Sequence, residues 1–188
     1  HMGHVLPYAA NCSVLFTEAE LLQRPAAARA AGFDAIEFWW PWPDTPVPAD
    51  IEIDRFVTAV RDAGVQLIGL NFFAGDLAGP DCGVLSIPAR SAEFRDNIDI
   101  TLGIGRSLGV RAFNALYGNR VSEATPEQQD DLAAENLALA AKAAGPIGGF
   151  GSRTVTGGAV SADGRVVALR TYTDAWLFAV PAQGGVAG

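Results

Sequence analysis

The sequence predicts an α/β fold in which four consecutive β-α units form a parallel sheet covered by helices. Three junctions read alike: AAGFDAIEFWW, DAGVQLIGLNFF and SLGVRAFNALYG each end a helix-periodic segment with a glycine and then enter a β-rich run. These glycines, Gly32, Gly64 and Gly109, suit the left-handed conformation that commonly ends a helix. Their spacing leaves room for a strand, a loop, a helix and a second loop. The units fit half of a (β/α)₈ barrel or part of an open doubly wound sheet.

The first unit has a less regular pattern than the others. The segment LPYAANCSVLF predicts its strand, and TEAELLQRPAAARAAG predicts the helix that follows. One face of that helix is expected to hold Leu21, Leu22, Ala26, Ala30 and Ala31. Pro25 fits only near the first turn or at a kink, because proline lacks the backbone donor. No G-x-G-x-x-G follows this strand, which disfavours the dinucleotide-binding form of an open sheet.

The three later helices have a clearer apolar period. Two of them place apolar residues at helical spacing: Ile53, Phe56, Val57 and Val60 in the first, and Phe94, Ile98, Leu102 and Ile104 in the second. In TPEQQDDLAAENLALAAKAAG, Thr125 is the predicted N-cap and Pro126 the first helical residue. The strands between these helices are apolar on both faces, which is typical of a parallel sheet that helices cover.

Composition excludes several classes of function. The chain has 188 residues, 49% hydrophobic and 18% charged, which is enough for one domain with a sizeable core. Its net charge of −8 argues against partners such as nucleic acids or anionic membranes, because both require basic patches. The opening HMGH, residues 1–4, is interpreted as an expression-tag remnant and holds both histidines. Histidine-dependent triads and metal sites are therefore not expected.

The cellular location is predicted from cysteine usage and from the start of the chain. Cys12 and Cys82 lie in different units and form no metal-spaced cluster, so we interpret them as reduced thiols, with a disulfide as the alternative. No apolar run approaches the ~20 residues of a membrane span. No basic region followed by a long apolar one opens the sequence. We therefore expect cytosolic thiols.

Five segments in order carry a family resemblance: AANCSVLFTE, AGFDAIEFWWPWP, LNFFAGDLAGPDCGVLSIPARSAEFRDNI, FNALYGNR and ENLALAAKAAGPIGG. They resemble the first half of bacterial hydroxypyruvate isomerases, members of the xylose-isomerase-like barrel superfamily. The resemblance covers residues 5–149. It implies half of a (β/α)₈ TIM barrel, made of four parallel β-α units, and the interconversion of hydroxypyruvate and tartronate semialdehyde. Several relatives hold a divalent metal at the mouth, the face where the carboxyl ends of the strands meet. A cytoplasmic location is what the family resemblance of residues 5–149 implies, and the location of the whole chain is not predicted.

The resemblance also implies that the second half of the barrel carries the chemistry. In the family, two key glutamates and the other metal-binding side chains come from strands five to eight. The fifth strand is expected just after AAGPIGG, but this sequence reads FGSRTVTGG there, with no acid between Gly145 and Asp163. We therefore expect no catalytic residue, metal ligand or cofactor in this chain.

Polar residues at the predicted strand ends are the candidate substrate-binding residues, because the active sites of these barrels lie at that face. They are Glu37 after the second strand, Asn71 after the third, and Asn114, Tyr117, Asn119 and Arg120 after the fourth. Glu37 fits either a pocket position or a structural ion pair at the rim. Arg120 fits either a ligand to a substrate carboxylate, which a guanidinium suits, or a solvated loop arginine.

Two further features of the predicted loops have alternative roles. Asp76 in NFFAGD either faces the mouth or orders its own loop through an Asx turn. The aromatic run Trp39, Trp40 and Trp42, with Pro41 and Pro43, is either a lid over the mouth or a packed loop or interface patch.

After Gly149 the sequence changes character. RTVTGGAV, RVVALRTY and AWLFAVP read as three short strands punctuated by SADG and TYTD, which predicts a short antiparallel β segment over residues 150–188. This part resembles a fragment of a β-propeller blade. Such a fragment cannot bury its own apolar face. We interpret the chain as a fusion of unrelated fragments, made or selected in a laboratory, with a frameshift or natural recombination as the alternative.

Two functions follow from these observations. The first is a folded, non-catalytic chimera built on half of a hydroxypyruvate isomerase barrel, and the alternative is an active or residual isomerase. A half barrel leaves open strand edges and an uncovered apolar face. We therefore expect a homo-oligomer, most simply a two-fold dimer or a segment-swapped assembly, that covers these surfaces. In it, the tail strands RVVALRTY and AWLFAVP are expected to pack against or pair with another subunit.

Overall fold

The computed structural model describes residues 8–77 and 79–145, together with the backbone of three short strands further along the chain. The chain divides into two compact units, His1–Gly145 and Pro146–Gly188. No helix in the described part is long and apolar enough to cross a membrane.

The first unit contains a four-stranded parallel sheet in the order β1-β2-β3-β4. The strands are β1 (Ala9–Asn11), β2 (Ala35–Phe38), β3 (Gln66–Asn71) and β4 (Ala112–Asn114). Because each strand pairs with the next in sequence and runs in the same direction, each connection is a β-α crossover. The predicted α/β fold with four parallel strands is confirmed.

Four helices alternate with these strands: α1 (Arg24–Ala30), α2 (Asp50–Ala63), α3 (Ser91–Leu108) and α4 (Pro126–Ala144). Short 3-10 turns precede α1 and α3, at Leu21–Gln23 and Pro88–Arg90. The hydroxyl of Thr125 accepts a hydrogen bond from Gln128 N and Pro126 opens α4, which confirms the predicted cap. Gly64 and Gly109 end α2 and α3 with φ values of 67° and 69°, in the left-handed region as predicted.

The core lies between the sheet and helices α2 and α3. The predicted apolar faces of both helices are confirmed, since Phe56, Val57 and Val60 and all four predicted residues of α3 are buried. The Phe38 and Phe56 rings meet edge to face at 5.2 Å between centroids, which ties β2 to α2. Full burial of each such side chain contributes about 1.5–3 kcal/mol.

The strands are not apolar on both faces, so that prediction is wrong. In β2, Ile36 and Phe38 are buried, whereas Ala35 and Glu37 are only half-buried. In β3, Ile68 is 37% exposed beside buried Leu67. One sheet face packs against the helices, and the other carries Ile68 as well as small and polar residues. The burial alternates with the period of two that a strand imposes in β2 and over residues 66–69, whereas Leu70 and Asn71 at the end of β3 are both buried.

The first β-α unit differs most from its prediction. Strand β1 ends at Asn11, because the carbonyl of Asn11 accepts from Val14 N and Leu15 N and turns the chain. In α1 the buried residues are Pro25 and Ala28, not the predicted face of Leu21, Leu22, Ala26, Ala30 and Ala31. The helix begins only at Arg24, after a 3-10 turn, so a single 3.6-residue period does not run through the whole segment.

The two cysteines of the first unit are free, as predicted. Cys12 is fully buried directly after β1, and this burial raises the pKa of its thiol to about 11. Cys82 is exposed in the loop between β3 and α3.

In the second unit, the backbone forms strands β5 (Gly157–Val160), β6 (Val166–Arg170) and β7 (Ala175–Ala179). Strand β6 pairs antiparallel with both β5 and β7. The turn segments SADG and TYTD and the end of AWLFAVP, on which the blade interpretation depends, lie outside the described residues.

Candidate functional site

A row of polar side chains crosses the sheet on the face that does not pack against the helices. Strand register aligns Asn11 with Glu37, Glu37 with Gly69, and Asn71 with Asn114. Asn11, Asn71 and Asn114 are the last residues of their strands. Glu37 was predicted to follow the second strand, but it lies within β2. Parallel strands place their carboxyl ends at one edge, so the row marks the mouth of the half barrel.

The row consists of two hydrogen-bonded pairs. Asn11 Nδ2 donates to Glu37 Oε1 over 2.9 Å, and Asn114 Nδ2 donates to Asn71 Oδ1 over 3.0 Å. Gly69 lies between the pairs, and a Cβ there would be in van der Waals contact with Glu37 Cβ and Oε2 at 3.4 Å. Three of the predicted residues, Glu37, Asn71 and Asn114, are therefore brought to one face. Within residues 8–77 and 79–145, Glu37 makes no ion pair and is not among the residues that line the cleft beside the row, so its role stays a prediction.

A cleft of about 270 Å³ opens next to this row. Its lining comes from the segments that directly follow the first three strands: Ser13, Leu21 and Arg24 after β1, Trp39, Trp40, Pro41 and Pro43 after β2, and Ala74, Gly75, Asp76 and Leu77 after β3. The cleft is therefore at the mouth. Asn11 connects it to the polar row, because Asn11 Oδ1 accepts from Ser13 N over 2.9 Å.

The aromatic run is divided between two roles. Trp40 is buried, donates from Nε1 to Thr45 O over 2.8 Å, and packs against Trp42 at 5.1 Å between centroids. Trp42 in turn contacts the Phe56 ring at 5.5 Å. These two side chains hold the loop against α2, as the packed-loop alternative predicted. Trp39 is 39% exposed and lines the cleft, so it alone fits a covering role.

Arg120 is engaged by neighbouring groups of its own loop and of α4. Its guanidinium donates to the Tyr117 hydroxyl over 2.7 Å, to Asp130 Oδ1 over 3.0 Å and to Pro126 O over 2.9 Å, and it lies over the Tyr117 ring. The Tyr117 hydroxyl donates a short hydrogen bond to Asp130. The arginine is therefore held in a cluster with Tyr117 and Asp130, and about half of its side chain remains exposed.

This cluster shifts two pKa values. The hydrogen bond from the Tyr117 hydroxyl, together with the charge of Arg120, lowers the pKa of Asp130 below its ordinary value. Partial desolvation and the hydrogen bond to Asp130 raise the pKa of Tyr117. Both shifts favour the arrangement of a neutral phenol donating to a carboxylate.

Asn119 clamps the loop between β3 and α3. Its Nδ2 donates to Pro80 O over 2.6 Å, and its backbone N donates to Asp81 O over 2.9 Å. Asp76, in the same loop, accepts from Gly79 N at Oδ1 over 2.9 Å, which is the loop-ordering Asx turn that was one alternative. Asp76 also lines the cleft. It therefore both orders its own loop and faces the mouth.

Three fully buried carboxamides on the helices hold the mouth loops, and the sequence analysis missed them. Asn97 of α3 accepts from Phe73 N over 2.7 Å and donates to Pro46 O over 2.8 Å. Gln129 of α4 donates to Ser86 and Asn119, and Asn136 of α4 donates to Leu85 O and Ser91. Their signal in the sequence is a polar residue on an otherwise apolar helix face.

Asn11 at the end of β1, Ser13 after it and Arg24 at the start of α1 were not predicted from the sequence. In the described residues, no three Asp, Glu, Cys or His side chains lie close enough together to hold a metal ion. Residues 8–77 and 79–145 therefore do not fit the divalent metal that the resemblance implies.

Comparison with known proteins decides the family. The model of the xylose isomerase-like TIM barrel family matches residues 25–149. This chain belongs to that family. The four parallel strands and the helices between them agree with the barrel fold of that family.

Two curated relatives and one solved structure agree on the region that is shared. A Streptomyces coelicolor protein provisionally named a hydroxypyruvate isomerase is 60% identical over 139 residues, 73% of this chain and 50% of its own length. The Escherichia coli hydroxypyruvate isomerase is 31% identical over 137 residues, with the same coverage of 73% and 50%. A Brucella melitensis structure described as an AP endonuclease of family 2 is 29% identical, with a TM-score of 0.60, and covers 73% of this chain and 50% of its own. The chain thus spans about half the length of the curated relatives.

Proposed function

We propose that the first unit is the substrate-binding half of an isomerase that interconverts hydroxypyruvate and tartronate semialdehyde. The observation that carries this proposal is the pairing of the polar row Asn11–Glu37 and Asn71–Asn114 with a small cleft at the mouth. The identity of 60% to a protein with that provisional name supports the substrate class.

The reaction moves a carbonyl by one carbon. A proton leaves C3 of hydroxypyruvate, the electron pair forms an enediolate, and a proton is returned to C2, while the hydroxyl proton on O3 is exchanged for one on O2. No oxidant or reductant is consumed. Such a reaction requires a base at the carbon and donors at the oxygens that become negatively charged.

The described residues supply the binding part of this chemistry. The amide groups of Asn71 and Asn114 and the carboxylate of Glu37 can contact the hydroxyl and carbonyl oxygens of a three-carbon substrate from one face of the sheet. Asn71 is 5% exposed, so a hydrogen bond that it makes competes little with water. We assign no catalytic base among these residues.

A direct assay of the 188-residue chain tests the proposal. Hydroxypyruvate is incubated with the protein, with and without added Mn²⁺ or Mg²⁺, and tartronate semialdehyde is measured with a coupled reductase. Turnover above a protein-free blank is expected. Turnover that persists unchanged after Glu37→Ala and Asn71→Ala would show that a contaminating isomerase produces the signal.

A non-catalytic chimera is the second candidate. The observation that favours it is that the family match ends at residue 149, close to the boundary between the two compact units at Gly145 and Pro146. On this proposal the antiparallel segment derives from a β-propeller blade and adds no chemistry. The DNA sequence across codons 145–155 tests it: a join or a shifted frame is expected, and an uninterrupted reading frame shared with natural relatives would contradict it.

A further inference from the structure

The cleft at the mouth contains a cation that no acid neutralises in residues 8–77 and 79–145. Arg24 Nε donates to Ala19 O over 2.9 Å, and its Nη1 donates to Cys12 O over 3.2 Å. The ion pairs of the described chain use other arginines: Arg29, Arg90, Arg95 and Arg120. A guanidinium has five N–H donors, so two carbonyl contacts leave donors over for a ligand.

The two contacts fix the position of this guanidinium. Both acceptors are backbone carbonyls of the segment that follows β1, and Arg24 is half-buried beside them. A side chain held in this way loses little further conformational freedom when it binds an anion, and a guanidinium can bind a carboxylate through two parallel hydrogen bonds.

Ser13 provides a second donor in the same cleft. Its Oγ accepts from Trp39 N over 2.9 Å, and in the part of the chain that the structure describes its hydroxyl hydrogen has no acceptor. Trp39 also lines the cleft. Asp76 is the acid in the lining, and its Oδ1 is engaged by Gly79 N.

We propose that Arg24 binds the carboxylate of a small 2-oxo acid in this cleft, with Ser13 donating a second hydrogen bond and Trp39 covering the ligand. The identification of the acid as hydroxypyruvate rests on the proposed function. A volume of about 270 Å³ suits a molecule of three or four carbons and is below the size of drug-binding pockets. Arg24, rather than the predicted Arg120, is then the arginine that selects an acid over a neutral sugar.

Nuclear magnetic resonance on the full chain tests this inference without relying on turnover. The probes are hydroxypyruvate and dihydroxyacetone, in which a neutral hydroxymethyl group replaces the carboxylate. Hydroxypyruvate is expected to shift the Arg24 Nε–H resonance, the Ser13 amide and the Trp39 indole resonance. Dihydroxyacetone is expected to bind at least ~10-fold more weakly, because a charge-assisted hydrogen bond is lost. Equal binding of both probes would overturn the proposal.

Two variants show whether ligand binding depends on the Arg24 side chain itself. Arg24→Gln is expected to weaken hydroxypyruvate binding at least ~10-fold and to leave dihydroxyacetone binding unchanged. Arg29→Gln is the matched control, because Arg29 is on the same helix but paired with Asp34 outside the cleft, and it should bind as the unmodified chain does. If Arg24→Gln does not fold, the map of shifted resonances in the unmodified chain decides. Shifts centred on Arg90 or Arg111 instead would overturn the proposal.

The outcomes also distinguish this inference from the proposed function. Hydroxypyruvate binding at Arg24 without turnover supports the carboxylate site and contradicts the isomerase activity of this chain. Turnover that is unaffected by Arg24→Gln supports the activity and overturns the carboxylate site.

Discussion

Gly105 of α3 faces the ring of Phe113 in β4 so closely that a Cβ at this position would overlap the ring. The contact joins the third helix to the last strand of the sheet, and the same ring lies 5.7 Å from that of Phe72. A methyl group at position 105 would therefore displace the Phe113 ring.

We expect Gly105→Ala to lower the free energy of unfolding by about 1–3 kcal/mol, because the added methyl forces the Phe113 ring out of its position. The matched control is Gly103→Ala on the same helix, where the Cβ would meet no atom within 4 Å. That change should raise the free energy of unfolding by about 0.5–1 kcal/mol, because alanine is the better helix former. Urea denaturation measures both, and equal effects of the two changes would contradict the packing described.

Asn97→Ala should destabilise the protein by about 2–4 kcal/mol, because Phe73 N and Pro46 O lose their buried partner and Thr101 loses an acceptor. Asp99→Ala is the control on the same helix, since Asp99 is exposed, and its effect should stay within about 0.5 kcal/mol. Thermal unfolding followed by circular dichroism compares the two. A small effect of Asn97→Ala would show that the mouth loops do not depend on this side chain.

The Tyr117–Asp130–Arg120 cluster predicts a pH dependence at both ends of the scale. Because the pKa of Asp130 is lowered in the folded state, its contribution to stability is complete above the ordinary pKa of 3.8 and is lost as the pH falls through the folded value. The pKa of Tyr117 is raised, so its contribution is complete below 10.0 and is lost as the pH rises through the folded value.

Asp130→Asn isolates the acid side of this dependence. The difference in free energy of unfolding between the unmodified chain and this variant should be constant near neutral pH and shrink below pH 3.8. Asp131→Asn, at the neighbouring exposed position, is the matched control for removing one carboxylate from α4. A difference that grew towards acid pH would contradict the assigned direction.

We propose that the chain assembles into a homo-oligomer through the edges of its four-stranded sheet. Strands β1 and β4 each have one pairing partner within this sheet, and apolar side chains near the first strand and on α4 are exposed, including Tyr8 at 59% and Leu137 at 42%. Covering such surface contributes roughly 25 cal/mol per Å². Gel filtration with light scattering should give a multiple of 19.6 kDa, and a monodisperse monomer across micromolar concentrations would contradict it.

The sequence predicted the later β-α units well because their apolar residues keep one period from end to end. In α2 the buried Phe56 and Val60 lie one helical turn apart, and in α3 the buried Phe94 and Ile98 do the same. A glycine ends each helix. In α1 the period is broken by a 3-10 turn before Pro25, and a pattern that assumes one continuous helix assigns the wrong face.

The sequence predicted those site residues whose position depends only on the strand in which they lie. Asn71 and Asn114 end neighbouring strands, so parallel pairing brings them together. The roles of Arg24 and Arg120 depend instead on partners that the pattern does not reveal. Arg120 is held by Asp130 in the next helix, whereas Arg24 is held by carbonyls of an irregular segment. Such contacts follow from loop conformation, which periodicity does not determine.

We propose, as the central claim, that the mouth of this half barrel binds hydroxypyruvate for an isomerisation that begins with proton removal at C3. Deuterium incorporation into hydroxypyruvate in D₂O, followed by proton nuclear magnetic resonance with the full 188-residue chain, tests it most directly, because it detects proton removal even when little product accumulates. We predict exchange at C3 faster than in a protein-free blank, and at least ~10-fold slower exchange for Glu37→Ala, because the proposed hydrogen bond of its carboxylate to the substrate is lost. Exchange at the rate of the blank would contradict the account.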